Sequence, residues 1–387
     1  MFHRLAFLSG LLPSRLSAEV RHLYSANTTL NLALAMVAIF EPVFLYRNGF
    51  GVVQICLVYA AVYALYSLLL PLGVKFSLRY GYRRGMAVGM VLWACLYASF
   101  GAITVSHAWV VAAVVIYALQ KALYWPGFHA DFAQYSTAGE QGRELSGASA
   151  LEAFATVVGP LLGGLLITMG GFGYLFAVVG ALIVAAIIVL VSLPEKFQPE
   201  SMGYGELWRY LTRPQNRRFS WTSFAYGEEL VALVLWPVAI ALVVGEGNSL
   251  ALGGVASTAT LVTAGLTLYV GRLSDRRSPR SIMRYGIVTY TFGWLLKPFV
   301  ATAGLAFATE ALSRFAKNTI GVPYMQLLYG EARAEGRVMR RVMAFELGLS
   351  LAKMAVAVGC AALLAIGAPL WSTFLVAAAF TLLHLAR

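Results

Sequence analysis

Three ionisable side chains, Glu310, Arg314 and Lys317, interrupt an apolar segment that covers residues 306–328. Their spacing of i, i+4 and i+7 places all three on one face of a helix. A charge near the centre of a bilayer costs at least ~2.5–3.5 kcal/mol, so such a residue faces a partner or a water-filled cavity. Glu310 and Arg314 could neutralise each other as a purely structural ion pair, but Lys317 is then left over. The pattern therefore predicts a polar interior that other helices enclose.

The composition is that of an integral membrane protein. Hydrophobic residues make up 60% of the 387 residues and charged residues only 12%, which is about half the charged fraction of a typical soluble domain. The cysteines Cys56, Cys95 and Cys360 lie singly in apolar segments without metal-ligand spacing, so we interpret them as packing residues. The sequence predicts neither a metal centre nor a cofactor.

Twelve segments are apolar over about 20 residues, the length that crosses a bilayer as a helix. In chain order, spans 1 to 12 are predicted at 25–46, 52–74, 86–105, 109–130, 147–168, 172–193, 219–244, 251–271, 282–302, 305–328, 342–366 and 369–386. We therefore expect an N-terminal six-helix bundle at 1–193 with an amphipathic lead-in at 1–24, a cytoplasmic linker at 194–218, and a C-terminal six-helix bundle at 219–387.

Basic residues are segregated to one side of the predicted spans. Of the 29 Lys and Arg residues, 23 fall on one side, Arg47 alone falls on the other, and five lie within spans. The positive-inside rule then places both termini and the linker in the cytoplasm, in a multi-pass protein of the cytoplasmic (inner) membrane. The net charge of +12 thus indicates topology, and we expect the lipid bilayer rather than nucleic acid as the partner.

The two halves of the sequence repeat. Gln141-Gly142-Arg143, followed by Glu152, recurs 194 residues later as Glu335-Gly336-Arg337, followed by Glu346. The segment 118–121, which ends in Lys121, recurs 193 residues later as 311–314, which ends in Arg314. Two matches at nearly one offset indicate a duplicated six-helix unit, an arrangement that places a binding site between the halves.

Loop motifs give the sequence a family resemblance. The segment 271–277, Gly-Arg-Leu-Ser-Asp-Arg-Arg, lies between spans 8 and 9 and closely resembles the Gly-x-Leu-x-Asp-Arg signature of the major facilitator superfamily. Its counterpart at 79–84 keeps the basic and glycine positions, but Leu78 stands where the family usually has Asp. The resemblance implies an all-α membrane protein with twelve transmembrane helices in two pseudo-symmetric six-helix bundles, the major facilitator fold.

A second motif resembles one group within that family. The segment 159–164, Gly-Pro-Leu-Leu-Gly-Gly, is similar to the Gly-Pro-x-x-Gly-Gly motif of proton-coupled antiporters. The Arg-x-x-Gln-Gly motif that such antiporters carry in span 4 is altered, because the matching positions are Tyr117, Gln120 and Lys121. The usual proton relay of drug antiporters is therefore in doubt here.

The motif residues are expected to act in gating and packing. Asp275 and Arg276 can pair with Glu346 or Arg337 and close the cytoplasmic side, although the loop could instead be only a topological anchor. The glycines of 159–164 allow close helix packing and Pro160 kinks the helix, so plain packing and a hinge both stay open. The full predicted sets are Arg79, Gly81, Arg83, Arg143, Glu152, Gly271, Asp275, Arg276, Arg277, Arg337 and Glu346 for gating, and Gly159, Pro160, Gly163 and Gly164 for packing.

The resemblance implies that spans 1, 4, 7 and 10 line the central cavity, and most of the charged residues within spans fall there. The predicted cavity residues are Tyr117, Lys121, Tyr124, Glu228, Glu229, Glu310, Arg314, Lys317 and Lys353. Four of these are cations and three are carboxylates, a small positive excess that favours an anionic or zwitterionic substrate. Lys297 is expected to snorkel at the outer end of span 9 without a function, and Glu41 is expected close to the outer surface.

The adjacent pair Glu228 and Glu229 is the predicted proton-coupling site. Successive helical side chains point about 100° apart, so only one of the two can face the cavity centre and the other should pair with a neighbouring helix. A carboxylate out of water can load and release a proton near neutral pH. We expect Lys121 or Arg314 to be the competing partner, with a purely structural salt bridge between the halves as the alternative.

These patterns together predict a monomeric secondary active transporter that moves a small solute by alternating access. Coupling to protons is expected, and antiport with efflux is favoured. A membrane enzyme is disfavoured because the sequence shows no nucleophile, base or metal cluster and no phosphate-binding loop. A lipid flippase or a non-transporting sensor stays open, since a fold does not fix a function.

Overall fold

Every described element of the protein is a helix. The structure, a computed structural model, describes residues 18–135, 142–192, 204–245, 247–274 and 279–386. The first six spans are formed by Ala18–Val37 with Phe40–Arg47, Val52–Tyr80, Tyr82–Ile103, Trp109–Tyr135 and Gly142–Val191, the last of which supplies spans 5 and 6. Spans 7 to 12 are formed by Arg217–Ala225 with Trp236–Val244, Ser249–Ser274, Pro279–Leu296, Ala303–Ala334, Val338–Ala365 and Ser372–Leu382.

Hydropathy and length alone identify part of this set. Among the described residues, eight helices are long and apolar enough to cross a membrane. One of them, 153–191, is 39 residues long and divides at Gly171, whose φ of 75° lies in a region that other residues rarely adopt. The helix of span 10 falls outside the eight, and it carries the three charges Glu310, Arg314 and Lys317. Charged residues within a span thus weaken the apolar signal by which it would be identified.

Span 7 is broken, whereas the sequence predicts one helix over 219–244. The α-helix Arg217–Ala225 is followed by a 3₁₀ turn at Tyr226–Glu228 and a π-helical stretch at Val231–Leu235 before Trp236–Val244 resumes. Pro237 has no N–H with which to continue the α-helical ladder, and π stretches are frequent at functional sites. The break brings irregular backbone to the position of Glu228 and Glu229.

The first six spans meet the last six along two seams. In one seam, Ser67 and Ser350 share a hydrogen bond of 2.8 Å between spans 2 and 11. In the other, the Leu161 backbone N–H donates to Ser257 Oγ at 2.9 Å between spans 5 and 8. Polar side chains therefore bridge both seams, which fixes how the central helices face one another.

The Gly-Pro motif of span 5 lies where helices approach most closely. A Cβ added to Gly163 would lie 1.9 Å from the Met36 carbonyl oxygen of span 1. A Cβ added to Gly164 would lie 2.4 Å from the Ser249 carbonyl oxygen of span 8, and one at Gly159 would lie 2.4 Å from Ala35 Cβ. Any larger side chain at these positions would push span 5 away from its neighbours, so the contacts account for the motif by packing.

A short helix, Tyr204–Thr212, precedes span 7 and docks on the loop between spans 10 and 11. Tyr210 donates to Glu335 at 3.1 Å, and Arg341 Nη1 donates to the Tyr210 hydroxyl at 3.0 Å. Burial raises the pKa of Tyr210, so its hydroxyl stays a neutral donor. Arg341 also pairs with both Glu331 and Glu335. The region predicted as a linker is therefore fastened to the second half.

Candidate functional site

Two lysines and two glutamates form a network inside the second half of the chain. Lys317 Nζ bonds Glu228 Oε1 and lies 3.1 Å from Glu229 Oε1, and Lys353 Nζ lies 2.7 Å from Glu229 Oε2. The Tyr290 hydroxyl donates to Glu228 Oε2 at 2.8 Å. The four charges come from spans 7, 10 and 11 and balance to zero, which reduces the cost of burying them. We call this set the four-charge network.

The partners in this network differ from those that the sequence suggested. Lys121 and Arg314 were the expected partners of Glu228 and Glu229, but Lys317 and Lys353 occupy that role. Both glutamates reach Lys317, rather than one facing the cavity and the other a neighbouring helix. An ammonium on a flexible stem carries three donors, so one lysine can bridge two carboxylates.

Glu310 and Arg314 form a second, separate pair. Arg314 Nε lies 2.5 Å from Glu310 Oε1, and Trp236 Nε1 donates to Glu310 Oε2 at 2.6 Å. Both charged residues line a cavity of about 150 Å³ between the two halves. We call it the central cavity, and its walls also include Ala35, Ile39, Pro160, Leu252 and Trp236 from spans 1, 5, 8 and 7. Of the nine predicted cavity residues, Glu310 and Arg314 line this space and the other seven do not.

Lys121 has a different environment from the other interior cations. Its Nζ lies 4.4 Å from the centroid of the Tyr117 ring and 5.3 Å from that of Tyr63. Its residue surface is only 9% exposed, yet no carboxylate of the described residues lies within 4.0 Å of the ammonium. A cation–π contact stabilises such a charge by ~0.5–2 kcal/mol, but it does not engage the N–H donors of the ammonium in conventional hydrogen bonds. The ammonium is therefore able to bind an acceptor from a ligand.

Glu41, in the helix Phe40–Arg47 at the end of span 1, is enclosed by side chains of neighbouring helices. It is buried, and it accepts hydrogen bonds from Tyr97 at 2.9 Å and Tyr117 at 3.1 Å. Tyr117 thus contacts both Glu41 through its hydroxyl and Lys121 through its ring. Neutral donors satisfy the carboxylate directly, and Glu41 attracts the Lys121 ammonium electrostatically without a hydrogen bond between them.

Tyr63 is a site residue that the sequence analysis missed. Its ring lies 5.3 Å from Lys121 Nζ and 5.5 Å from Lys353 Nζ, so it stands between cations from the two halves. A signal was present in the sequence, because Tyr59, Tyr63 and Tyr66 are spaced i, i+4 and i+7 and form one face of span 2. All three are buried. A tyrosine face on an otherwise apolar span is the pattern that would have found it.

Two other residues also differ from expectation. Tyr124 was predicted to flank Lys121, but its ring packs against Trp93 and Trp125 with centroids 5.3 and 5.2 Å away. The close backbone approach of Gly89, where an added Cβ would lie 2.9 Å from Tyr124 Cβ, draws the side chain toward span 3. Lys297 does not snorkel, because it is 3% exposed and enclosed by tryptophan rings.

The end of the helix bundle that lies near the linker holds a cluster of side chains from both halves. Glu346 accepts from Tyr66 at 2.8 Å and lies 3.0 Å from His129 Nε2, and His129 Nδ1 lies 2.6 Å from the Tyr329 hydroxyl. Spans 2, 4, 10 and 11 are thereby joined at one point. Glu346 was predicted to act in a gate at this end, with Asp275 and Arg276 as partners, but those two and Arg277 lie outside the described residues.

The remaining predicted gating residues are dispersed. Arg83 Nε lies 3.7 Å from Asp131 Oδ2, and Arg337 Nη1 lies 3.4 Å from Glu206 Oε1. Arg79 lies over the Tyr80 ring, and Gly81 ends span 2 with a φ of 111°. The side chains of Arg143 and Glu152 and the surroundings of Gly271 lie outside the described part of the chain. Within the described residues, no three His, Cys, Asp or Glu side chains gather as a metal site.

Apolar helices long enough to cross a membrane, with buried charged residues between them, are typical of a solute transporter. The sequence profile of the Major Facilitator Superfamily matches residues 23–345, and the chain belongs to that family. It is therefore a secondary transporter with the major facilitator fold, and the predicted family and fold class are confirmed. None of the curated protein sequences compared with the chain matches it.

Solved structures show the same fold at low sequence identity. The nucleoside transporter NupG is 12% identical, with 96% of this chain and 98% of that one covered and a TM-score of 0.64. The Escherichia coli fucose:proton symporter FucP is 14% identical, with 94% and 96% covered and a TM-score of 0.64. The human organic anion transporter MFSD10 is 16% identical, with 95% and 99% covered and a TM-score of 0.66. At these identities the likeness shows the fold alone.

Proposed function

We propose that this transporter couples the movement of a small anionic or zwitterionic solute across the cytoplasmic membrane to protons, by alternating access and with both termini in the cytoplasm. The observation that carries the proposal is the four-charge network, in which two lysines hold two adjacent glutamates. A buried pair of carboxylates beside shared cations is a group whose charge state can change and whose partners can exchange.

Glu228 is the carboxylate better placed to gain and lose the proton. Glu229 is bonded by both Lys317 and Lys353, whereas Glu228 shares Lys317 and otherwise receives only the neutral Tyr290 hydroxyl. Glu228 is also completely buried, so its ionised form depends on that shared ammonium. When Glu228 binds a proton, Lys317 can stay on Glu229 and the network changes from neutral to singly positive.

Lys121 supports the choice of substrate class. Its ammonium has no carboxylate of the described residues within 4.0 Å and lies against two tyrosine rings. A carboxylate or phosphate of a solute would accept a charge-assisted hydrogen bond from this ammonium and so satisfy its N–H donors. The Tyr63 ring connects this position to Lys353 of the four-charge network.

The direction of coupling has two candidates. The motif at 159–164 resembles that of proton-coupled antiporters and favours antiport with efflux. Charge balance favours symport of an anion, because a protonated network carries one positive charge close to Lys121 and would strengthen anion binding. Symport is therefore kept as the second candidate.

The test uses purified protein in proteoliposomes that contain a pH-sensitive dye. A panel of organic anions, zwitterions and cations is presented with and without a pH gradient. We expect gradient-driven movement of an anionic or zwitterionic compound, and the sign of the proton flux decides between antiport and symport.

The variants are chosen to isolate the carboxylates. Glu228→Gln should abolish gradient-driven transport, and Glu206→Gln, on the exposed face of the short helix before span 7, is the matched control. Retention of gradient-driven transport by both Glu228→Gln and Glu229→Gln would refute the proton role. Movement of organic cations alone would refute the substrate class.

A further inference from the structure

A second cavity lies at the end of span 7 that is far from the linker. It measures about 200 Å³ and is lined by Leu242 and Val243 of span 7, Pro298 after span 9, and Leu370 and Trp371 before span 12. One water occupies about 30 Å³ of liquid, so the space is large enough for a small molecule or a headgroup. We call it the outer pocket. Trp236 lines both this pocket and the central cavity and so forms a wall between them.

Lys297 lines the outer pocket as a buried cation. Its Nζ lies 3.7 Å from the centroid of the Trp294 ring and 4.2 Å from that of Trp236, and the residue is 3% exposed. Phe374 completes the aromatic surround, with its centroid 5.5 Å from that of Trp236. Among the described residues, no carboxylate lies within 4.0 Å of this ammonium. Glu310, which accepts a hydrogen bond from the Trp236 indole, attracts this ammonium electrostatically from farther away. The N–H groups of Lys297 remain able to bind an acceptor oxygen of a ligand.

A second buried donor lies beside Lys297. The indole Nε1–H of Trp294 is buried and has no hydrogen-bond partner among the described residues. Trp294 packs against the Lys297 ammonium but does not line the pocket, whose walls apart from Lys297 are aromatic, aliphatic and proline side chains. A site with unfilled donors and a cation selects a ligand that brings negative charge and acceptor oxygens.

We propose that the outer pocket binds a small anionic group, a carboxylate or a phosphate, on the ammonium of Lys297. The site is distinct from the position of Lys121 and the four-charge network, and it goes beyond the proposed transport function without depending on it. Two sources share this chemistry, a soluble anion and the phosphate of an anionic lipid. The exposed rim residues Leu242 and Trp371 make the lipid source reachable from the bilayer.

The test uses iodide, an anion that quenches tryptophan fluorescence, on the purified full-length protein. Because two tryptophan rings contact the Lys297 ammonium, iodide bound there should quench them in a saturable manner. Lys297→Met should weaken the saturable component by about tenfold or more, the loss that follows from removing one charge-assisted contact. Lys75→Met, at an exposed lysine of span 2, is the matched control and should leave it unchanged.

A second variant keeps Lys297 in place. Leu370→Phe reduces the volume of the outer pocket without adding a tryptophan. It should produce the same loss, which protects the test against a folding defect in Lys297→Met. Equal saturable quenching in the wild type, Lys297→Met and Leu370→Phe would overturn the proposal. So would purely linear quenching in the wild type.

Competition then separates the two sources. Inhibition of the saturable quenching by inorganic phosphate or acetate in neutral-lipid nanodiscs supports a soluble anion. Loss of the saturable quenching only in nanodiscs that contain phosphatidylglycerol, with phosphatidylcholine discs as the control, supports a lipid phosphate. If inorganic phosphate, acetate and phosphatidylglycerol all leave the saturable quenching unchanged, the pocket does not bind an oxyanion and the proposal is contradicted.

Discussion

Lys121 in span 4 of the first half and Lys317 in span 10 of the second half are both lysines within membrane spans, but they have opposite surroundings. Lys317 bonds two glutamates. Lys121 contacts two tyrosine rings and has no carboxylate of the described residues within 4.0 Å. The difference indicates a division of labour, in which the second half holds charges that neutralise one another and the first half keeps a cation available to a ligand.

The largest expected effect is the loss of stability when Lys317, the lysine that bonds two glutamates, is replaced. Lys317→Met would leave Glu228 completely buried without an ammonium, and breaking a buried pair in this way costs ~3–5 kcal/mol. Thermal unfolding of the purified variant in detergent should show a large loss of stability. The double variant Glu228→Gln with Lys317→Met should recover much of it, and an additive loss in the double variant would contradict the pairing.

Replacement of Lys121 should instead affect anion binding more than stability. Lys121→Met removes a buried ammonium that has no carboxylate of the described residues within 4.0 Å and attracts Glu41 only from farther away. The free energy of unfolding should therefore be nearly unchanged. Binding of an anionic solute should nevertheless weaken by about tenfold or more, since one charge-assisted hydrogen bond is lost. Ligand-induced thermal stabilisation measures both quantities in one experiment. Lys121→Arg is the control that keeps the charge, and destabilisation of Lys121→Met comparable to that of Lys317→Met would erase the contrast.

Tyr63 sharpens the comparison because its ring lies between Lys121 and Lys353. Tyr63→Leu should weaken anion binding by the value of the lost cation–π contacts, ~0.5–2 kcal/mol. Tyr63→Phe keeps the ring and should bind the anion like the wild type. Calorimetric titration of the anion into each variant measures both affinities. An equal loss in both variants would show that the hydroxyl, not the ring, matters.

The smallest expected effect is at Tyr117. Tyr117→Phe removes the hydrogen bond to Glu41 and keeps the ring over Lys121, while Tyr97 still donates to Glu41. The expected loss is about 0.5–1.5 kcal/mol in the free energy of unfolding, with anion affinity retained. A collapse of anion binding in this variant would place Glu41, rather than the ring, at the centre of the Lys121 environment.

Much of the fold follows from local sequence features. Apolar length and the segregation of Lys and Arg are read one segment at a time, so they predict the spans and their orientation without tertiary information. The loop motif at 271–277 also indicates the family from local sequence. The motif at 159–164 likewise predicts close packing, and Gly163 and Gly164 do lie against the backbones of other spans. The break in span 7 was not predicted, because the effect of Pro237 on the preceding turn depends on how the helix is held by its neighbours.

The pairing of charges could not be predicted in the same way. Lys317 and Glu228 are 89 residues apart, and their contact depends on the rotation of spans 7 and 10 about their own axes. The enclosure of Lys297 similarly requires Trp236 from a distant span. Sequence spacing assigns residues to the face of one helix, whereas partner choice is a property of the assembled bundle.

The most direct test of the account compares net transport with exchange in proteoliposomes, using an anionic or zwitterionic compound that the panel identifies. If Glu228 carries the proton and Lys121 holds the solute, Glu228→Gln should lose accumulation driven by a pH gradient but keep solute-for-solute exchange, and Lys121→Met should lose both. Gradient-driven accumulation that persists in Glu228→Gln, or exchange that persists at the wild-type rate in Lys121→Met, would contradict the division of roles between the two halves.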